Sequence, residues 1–125
     1  MSNEKVFPLK RVVLVLEPNP LVLDDIGVIL MAAIPGAVLL LCADIPAAKR
    51  SLAEAEHLAL AVLSRAGPGR PAEPLVAQVA ARGGRVLILD EGTRDAEPGV
   101  AMLTVPFSET TFRAALDSLG LAEIS

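Results

Sequence analysis

The stretch RVVLVLEPNPLVLDDIGVILMAA, Arg11 to Ala33, decides the fold. Arg11 to Leu16 is a continuous β-branched and leucine run without polar alternation, the pattern of a strand covered on both faces rather than half in water. Glu17-Pro18-Asn19-Pro20 ends it. Asn19 can cap a helix whose first residue is Pro20, because proline there gives up no needed donor and has its φ already set. The helix runs to about Ala33, with Val22, Ile26, Ile29, Leu30 and Ala33 as its inward stripe. Asp24 and Asp25 turn toward water or the edge of that stripe, and Val28 and Met31 fall on the outer side. Neighbouring helix positions point about 100° apart, so Asp24 and Asp25 do not converge on one proton or water and read as a solvated face.

The same strand-then-helix alternation continues outward from this unit. Ala37–Cys42 (AVLLLC) is a second buried strand, and Asp44 followed by Pro46 starts a helix with Ile45, Ala48, Leu52 and Ala55 as its inner face. Leu58–Leu63 (LALAVL) is the third strand. The passage from Ala66 to Pro74 lacks the lysine and hydroxyl of a phosphate-cradling loop and reads as a turn lengthening the crossover. A helix of about Glu73 to Arg82 stops at Gly83-Gly84 in the manner of helices with a left-handed C-terminal residue. Arg85–Leu89 is the fourth strand and Val100–Thr104 the fifth. Between them Asp90 to Gly99 is polar and too short for a proper crossover helix. Ser108 caps a last helix with Phe112, Ala115, Leu116 and Leu119 inside, ending at Gly120.

Strands that alternate with helices at this spacing form a parallel sheet, because parallel neighbours need crossovers and right-handed crossovers put helices on both faces. The expected class is a three-layer α/β/α sandwich with a five-stranded parallel sheet, spanning residues 11–120 as one domain with an extension at 1–10 and a tail at 121–125. In such folds ligands gather at the carboxyl ends of the strands, here Glu17, Cys42, Ser64, Asp90 and Val105.

Composition narrows the function. The 125 residues are 53% hydrophobic, enough for one core that needs neither disulfides nor a structural metal. A net charge of −4, 2% aromatic residues and no lysine–arginine run exclude a nucleic-acid surface. The lone Cys42 and lone His57 assemble no metal-type spacing, and a single cysteine points to a reducing cytoplasm. Cys42 within an apolar strand reads as a small hydrophobe rather than a redox sensor, and His57, after Glu54 and Glu56, as an exposed residue leaving a helix. Met1 to Arg11 carries charges and Pro8 in place of the apolar core of a signal peptide. Ile26 to Ala43 carries no charge and is long enough for a membrane span, but Pro35-Gly36 splits it into the end of a helix and the start of a strand.

With the elements placed, the chain resembles the response-regulator receiver family from Arg11 to Leu119. RVVLVLEPNPLVLDDIGVIL resembles the opening strand, acidic turn and first helix; HLALAVLSRAG the third strand and its loop; VAQVAARGGRVLILDEG and AMLTVPFSETTFRAAL the later units. Val105-Pro106-Phe107 is the most distinctive match, resembling the family's lysine-proline-phenylalanine. The resemblance implies flavodoxin-like topology with strand order 2-1-3-4-5 and a fourth crossover helix that is short or missing.

It also implies phosphoryl transfer to an aspartate, and most positions that would carry that chemistry are altered. An ungapped alignment puts Val62 where the family's phosphoacceptor ends the third strand, and its neighbours Leu63 and Ser64 are not carboxylates either. The family's acidic pair corresponds to Glu17 and Pro18, one carboxylate where two help hold Mg²⁺. The family's lysine corresponds to Val105, ahead of Pro106, and its switch hydroxyl to Asp90, which repels phosphate when ionised. The chain therefore reads as a degenerate receiver that needs no cofactor, touches protein partners in two-component signalling and forms a homodimer. A receiver accepting phosphate on a displaced carboxylate is the second reading. A small flavodoxin-like enzyme or ligand-binding domain using Glu17, Asp44 and Asp90, the only candidates for a cation, is the third.

Overall fold

The expected alternation is present in the computed structural model, which describes residues 11–55, 57–64, 73–90 and 100–120. The chain runs β1 (Val12–Leu16), α1 (Pro20–Ala33), β2 (Val38–Cys42), α2 (Ile45–Glu54), β3 (Leu60–Ser64), α3 (Glu73–Ala81), β4 (Arg85–Asp90), β5 (Val100–Thr104) and α4 (Glu109–Ser118). The expectations for the extension at 1–10, the turn after the third strand, the fourth crossover at 91–99 and the tail at 121–125 fall outside the described residues. No helix among the described residues is long and apolar enough to cross a membrane.

The strands form one five-stranded parallel sheet in the order β2-β1-β3-β4-β5. β1 sits between its neighbours, with Val15 opposite both Leu41 and Val62, and Leu16 opposite both Cys42 and Leu63. Side chains alternate across the sheet. On one side Val13, Val15, Val62, Leu87 and Leu89 pack with Ile26 and Leu30 of α1 and Phe112 and Leu116 of α4. On the other, Leu14, Leu16, Ala61, Leu63, Val86 and Ile88 pack with Ala48 and Leu52 of α2 and Leu75 and Val79 of α3. Among the described residues two helices cover each side, and each such Leu, Val, Ile or Phe taken from water contributes roughly 1.5–3 kcal/mol before chain entropy is counted.

The helix starts follow from local chemistry. Asn19 Oδ1 accepts from the Leu21 and Val22 N–H groups at 3.0 and 3.4 Å, and Asp44 Oδ1 accepts from the Ala47 N–H at 2.8 Å. At α4 the Thr111 N–H donates to Ser108 Oγ at 3.1 Å while the Ser108 N–H donates to Thr111 Oγ1 at 2.9 Å, so both orphan donors are satisfied reciprocally.

Two strand expectations are corrected. β2 is an edge strand rather than a buried one: Leu41 is 44% exposed and Val38 36%. With a neighbour on one flank only, an apolar run cannot be enclosed as β1 is. The third strand begins at Leu60 rather than Leu58 and reaches Ser64. Leu58 is buried ahead of it, beside Gly84.

α3 ends as expected, at Gly83 with φ +77°. The next residue, Gly84, is constrained by space instead: a Cβ there would lie 2.8 Å from Val79 Cγ1, 3.1 Å from Leu58 Cβ and 3.2 Å from the Leu58 carbonyl oxygen. Val79 is stiff at χ1 and the carbonyl is backbone, so neither yields cheaply. Gly84→Ala is expected to cost about 1–3 kcal/mol in urea denaturation. A stability equal to the wild type would show that the strand entry is loosely packed.

Candidate functional site

The carboxyl ends of β1 and β5 and the start of α1 enclose a cleft of about 530 Å³ lined by Glu17, Asn19, Val22, Asp25, Val105, Pro106 and Phe107. Glu17 follows the last residue of β1, and its backbone N–H donates to the Cys42 carbonyl at 3.0 Å, which continues the ladder to β2 by one bond. The residue is only 7% exposed, and its Oε2 accepts from the Asn19 N–H at 2.9 Å. Pro18, between them, is exposed. One short Glu-Pro-Asn-Pro turn thereby orients the carboxylate and starts α1.

The opposite wall is the β5–α4 connection. The Val105 N–H donates to the Asp90 carbonyl at 3.0 Å, and the Val105–Pro106 peptide is cis. Phe107 packs its ring on the enclosed Phe112 of α4, with centroids 5.3 Å apart and planes tilted 57°. Val22, Val105 and Phe107 all rest on the α1–α4 side of the core.

The sequence candidates separate in space. Val62 is wholly enclosed in mid-strand, opposite Val15 and Leu87, so the end of β3 lies two residues beyond it at Ser64, which is buried and opposite Leu89. Asp90 closes β4 opposite Thr104. Along β4, Leu87 and Leu89 face the α1–α4 side and Val86 and Ile88 the α2–α3 side, so alternation puts Asp90 on the α2–α3 side. By the same count from Val13 and Val15, Glu17 takes the α1–α4 side. Asp44 is held in the cap of α2.

The cation candidates Glu17, Asp44 and Asp90 are therefore not gathered: no group of three or more His, Cys, Asp or Glu among the described residues could hold a metal ion. Cys42 is buried with its Sγ 3.6 Å from Ser51 Oγ, and His57 is exposed. Asp25 is exposed, as expected of a solvated face, and also lines the cleft. Its spacing of three from Val22, which puts both on one helix face, was the available signal.

No family model and no curated protein sequence matches the chain. Solved structures do. A response-regulator receiver domain protein from Bacillus halodurans superposes with a TM-score of 0.72 at 21% identity, over 89% of this chain and 97% of that one. The receiver domain of the hybrid histidine kinase CckA gives 0.69 at 20%, over 86% and 97%. A CheY-like receiver domain protein from Methanospirillum hungatei gives 0.68 at 17%, over 92% and 98%.

The chain has the receiver fold. The cleft lies at the carboxyl ends of strands, where ligands gather in open parallel α/β sheets. Its walls are Glu17 from the acidic turn and Val105-Pro106-Phe107 from the end of the fifth strand. Among the described residues, no lysine, arginine or histidine lines it. The described lining thus presents two carboxylates, an amide and hydrocarbon.

Proposed function

We propose that this domain is a cytoplasmic protein-interaction module of two-component-type signalling that carries no phosphoryl group on an aspartate, is not an enzyme and acts as a homodimer. The observation that supports this most is the end of β3. It carries Ser64, with enclosed Val62 two residues below it, and neither offers the carboxylate oxygen that an acyl phosphate requires. Val105 on the facing wall supplies no cation, and Glu17 adds like charge against a phosphoryl dianion. An apolar strip supports the protein-contact part of the reading: Val28 and Met31 on α1 are 70% and 55% exposed and stand beside Leu41 of the β2 edge.

Incubation with acetyl phosphate and Mg²⁺ is expected to leave the intact mass unchanged. Light scattering is expected to give the mass of a dimer before and after. A dominant species heavier by one phosphoryl group overturns the first part of the reading, and a monomer at all concentrations overturns the second.

A further inference from the structure

The cleft combines features that the loss of phosphoryl chemistry does not explain. Glu17 is a carboxylate more than nine-tenths buried, and among the described residues its one hydrogen bond is from the Asn19 N–H to Oε2. Asp25 adds a second carboxylate to the same lining, and among the described residues no cationic side chain lines it. A buried carboxylate without a counter-charge is costly, and such groups in proteins are ordinarily paired. Apart from Asn19, the rest of the wall, Val22, Val105, Pro106 and Phe107, is hydrocarbon and one aromatic ring.

A hard divalent ion is a poor match. Mg²⁺ asks for near-octahedral oxygen and keeps its waters, whereas more than half of this lining is apolar. The complementary ligand has a positive head for Glu17 and Asp25, an apolar stem for Val22 and Val105, and gains from lying near the Phe107 ring. The volume of about 530 Å³ is within the range of small-ligand pockets and ample for one such group.

We propose that the cleft takes the cationic head and apolar stem of an arginine or lysine side chain presented by a partner protein. Glu17 and Asp25 bind the charge, and Val22, Val105 and Phe107 bind the stem. The proposal deepens the interaction reading above. Its test is read by cation binding alone, so its failure leaves the mass measurement unaffected.

The ¹⁵N-labelled full chain is titrated with butylguanidinium and butylammonium, with neutral butylurea as the uncharged control. Saturable shifts are expected at the amides of Asn19, Val22 and Phe107, with a Kd on the order of 1 mM for so small a probe. Glu17→Gln keeps an oxygen that can accept from Asn19 and is expected to weaken binding about tenfold or more, the loss of a charge-assisted contact. Val105→Lys is expected to do the same by filling the cleft from within. Asp25→Asn, at an exposed position, guards against misfolding of the buried variant and is expected to weaken binding about threefold.

Equal shifts with butylurea, undiminished binding by Glu17→Gln, or no saturable shift with either cation overturns the proposal. So does Mg²⁺ alone saturating the same amides more tightly than butylguanidinium. A blocked Gly-Arg-Gly peptide binding at least as tightly as agmatine supports a side chain on a partner. Agmatine binding tightly with no peptide binding overturns that assignment in favour of a free amine.

Discussion

Val62→Asp is expected to leave the domain largely unfolded at neutral pH and to regain much of its stability in acid. Val62 is wholly enclosed between Val15 and Leu87, with α1 and α4 above. A carboxyl placed there meets apolar surroundings that disfavour its charged form and raise its folded-state pKa by as much as 3–5 units, about 4–7 kcal/mol at neutral pH. That is comparable to the whole stability of an ordinary domain, about 5–15 kcal/mol. The sign follows from linkage. Below the unfolded-state value, about 3.9, the carboxyl is neutral in both states and the electrostatic loss is absent; above it only the unfolded chain ionises freely, so stability falls as pH rises. Urea denaturation at acid and neutral pH measures this, with pH-insensitive Val62→Asn as the control. Ser64→Asp, at the last ladder position, is expected to lose less. A Val62→Asp domain as stable at neutral pH as the wild type would mean that residue 62 reaches water.

The second large effect is expected from Phe112→Ala, at about 3–5 kcal/mol. Phe112 is wholly enclosed, lies on the inner face of α4 and meets the Phe107 ring. Truncation removes the transfer free energy of the ring, leaves a void beneath the sheet and ends an aromatic contact of about 0.5–1.5 kcal/mol. Phe107→Ala loses the same contact but comes from a half-buried side chain and is expected to cost less. The two variants together in a double-mutant cycle report the ring–ring term. A Phe112→Ala loss under 1 kcal/mol would place the support of the cleft elsewhere.

Much of this architecture is legible in the chain because its signals are local. Asn19, Asp44 and Ser108 each precede a helix and each accepts from that helix's first turn. Gly83 takes the left-handed conformation that ends α3. The order 2-1-3-4-5 that the resemblance implies is the one observed, but the apolar texture of a single run does not disclose its position within the sheet. RVVLVL and AVLLLC have the same texture, yet Val15 is enclosed and Leu41 is 44% exposed, because only pairing decides which run lies at the edge.

The third strand slipped for a related reason. Leu58 continues the apolar pattern of LALAVL, but the strand begins two residues later, after Ala59 has donated its N–H to the Val12 carbonyl. The cleft was half legible. Glu17 and Val105 lie at strand ends and were found by counting along the chain. That Asp90 lies across the sheet from Glu17 needs the side of each strand to be known, and that comes from register, which no single strand contains.

The sheet is also a partition. Side chains above it, including Val22, Val105 and Phe107 of the cleft wall, belong to one packed cluster with α1 and α4, while α2 and α3 belong to another. A ligand seated against Val22, Val105 and Phe107 accordingly has direct mechanical access to the outer surfaces of α1 and α4. It reaches α2 and α3 only by displacing strand backbone that is hydrogen-bonded into the sheet. News of occupancy in this domain therefore travels sideways across one face of the molecule, and a listener docked on the far face hears little of it.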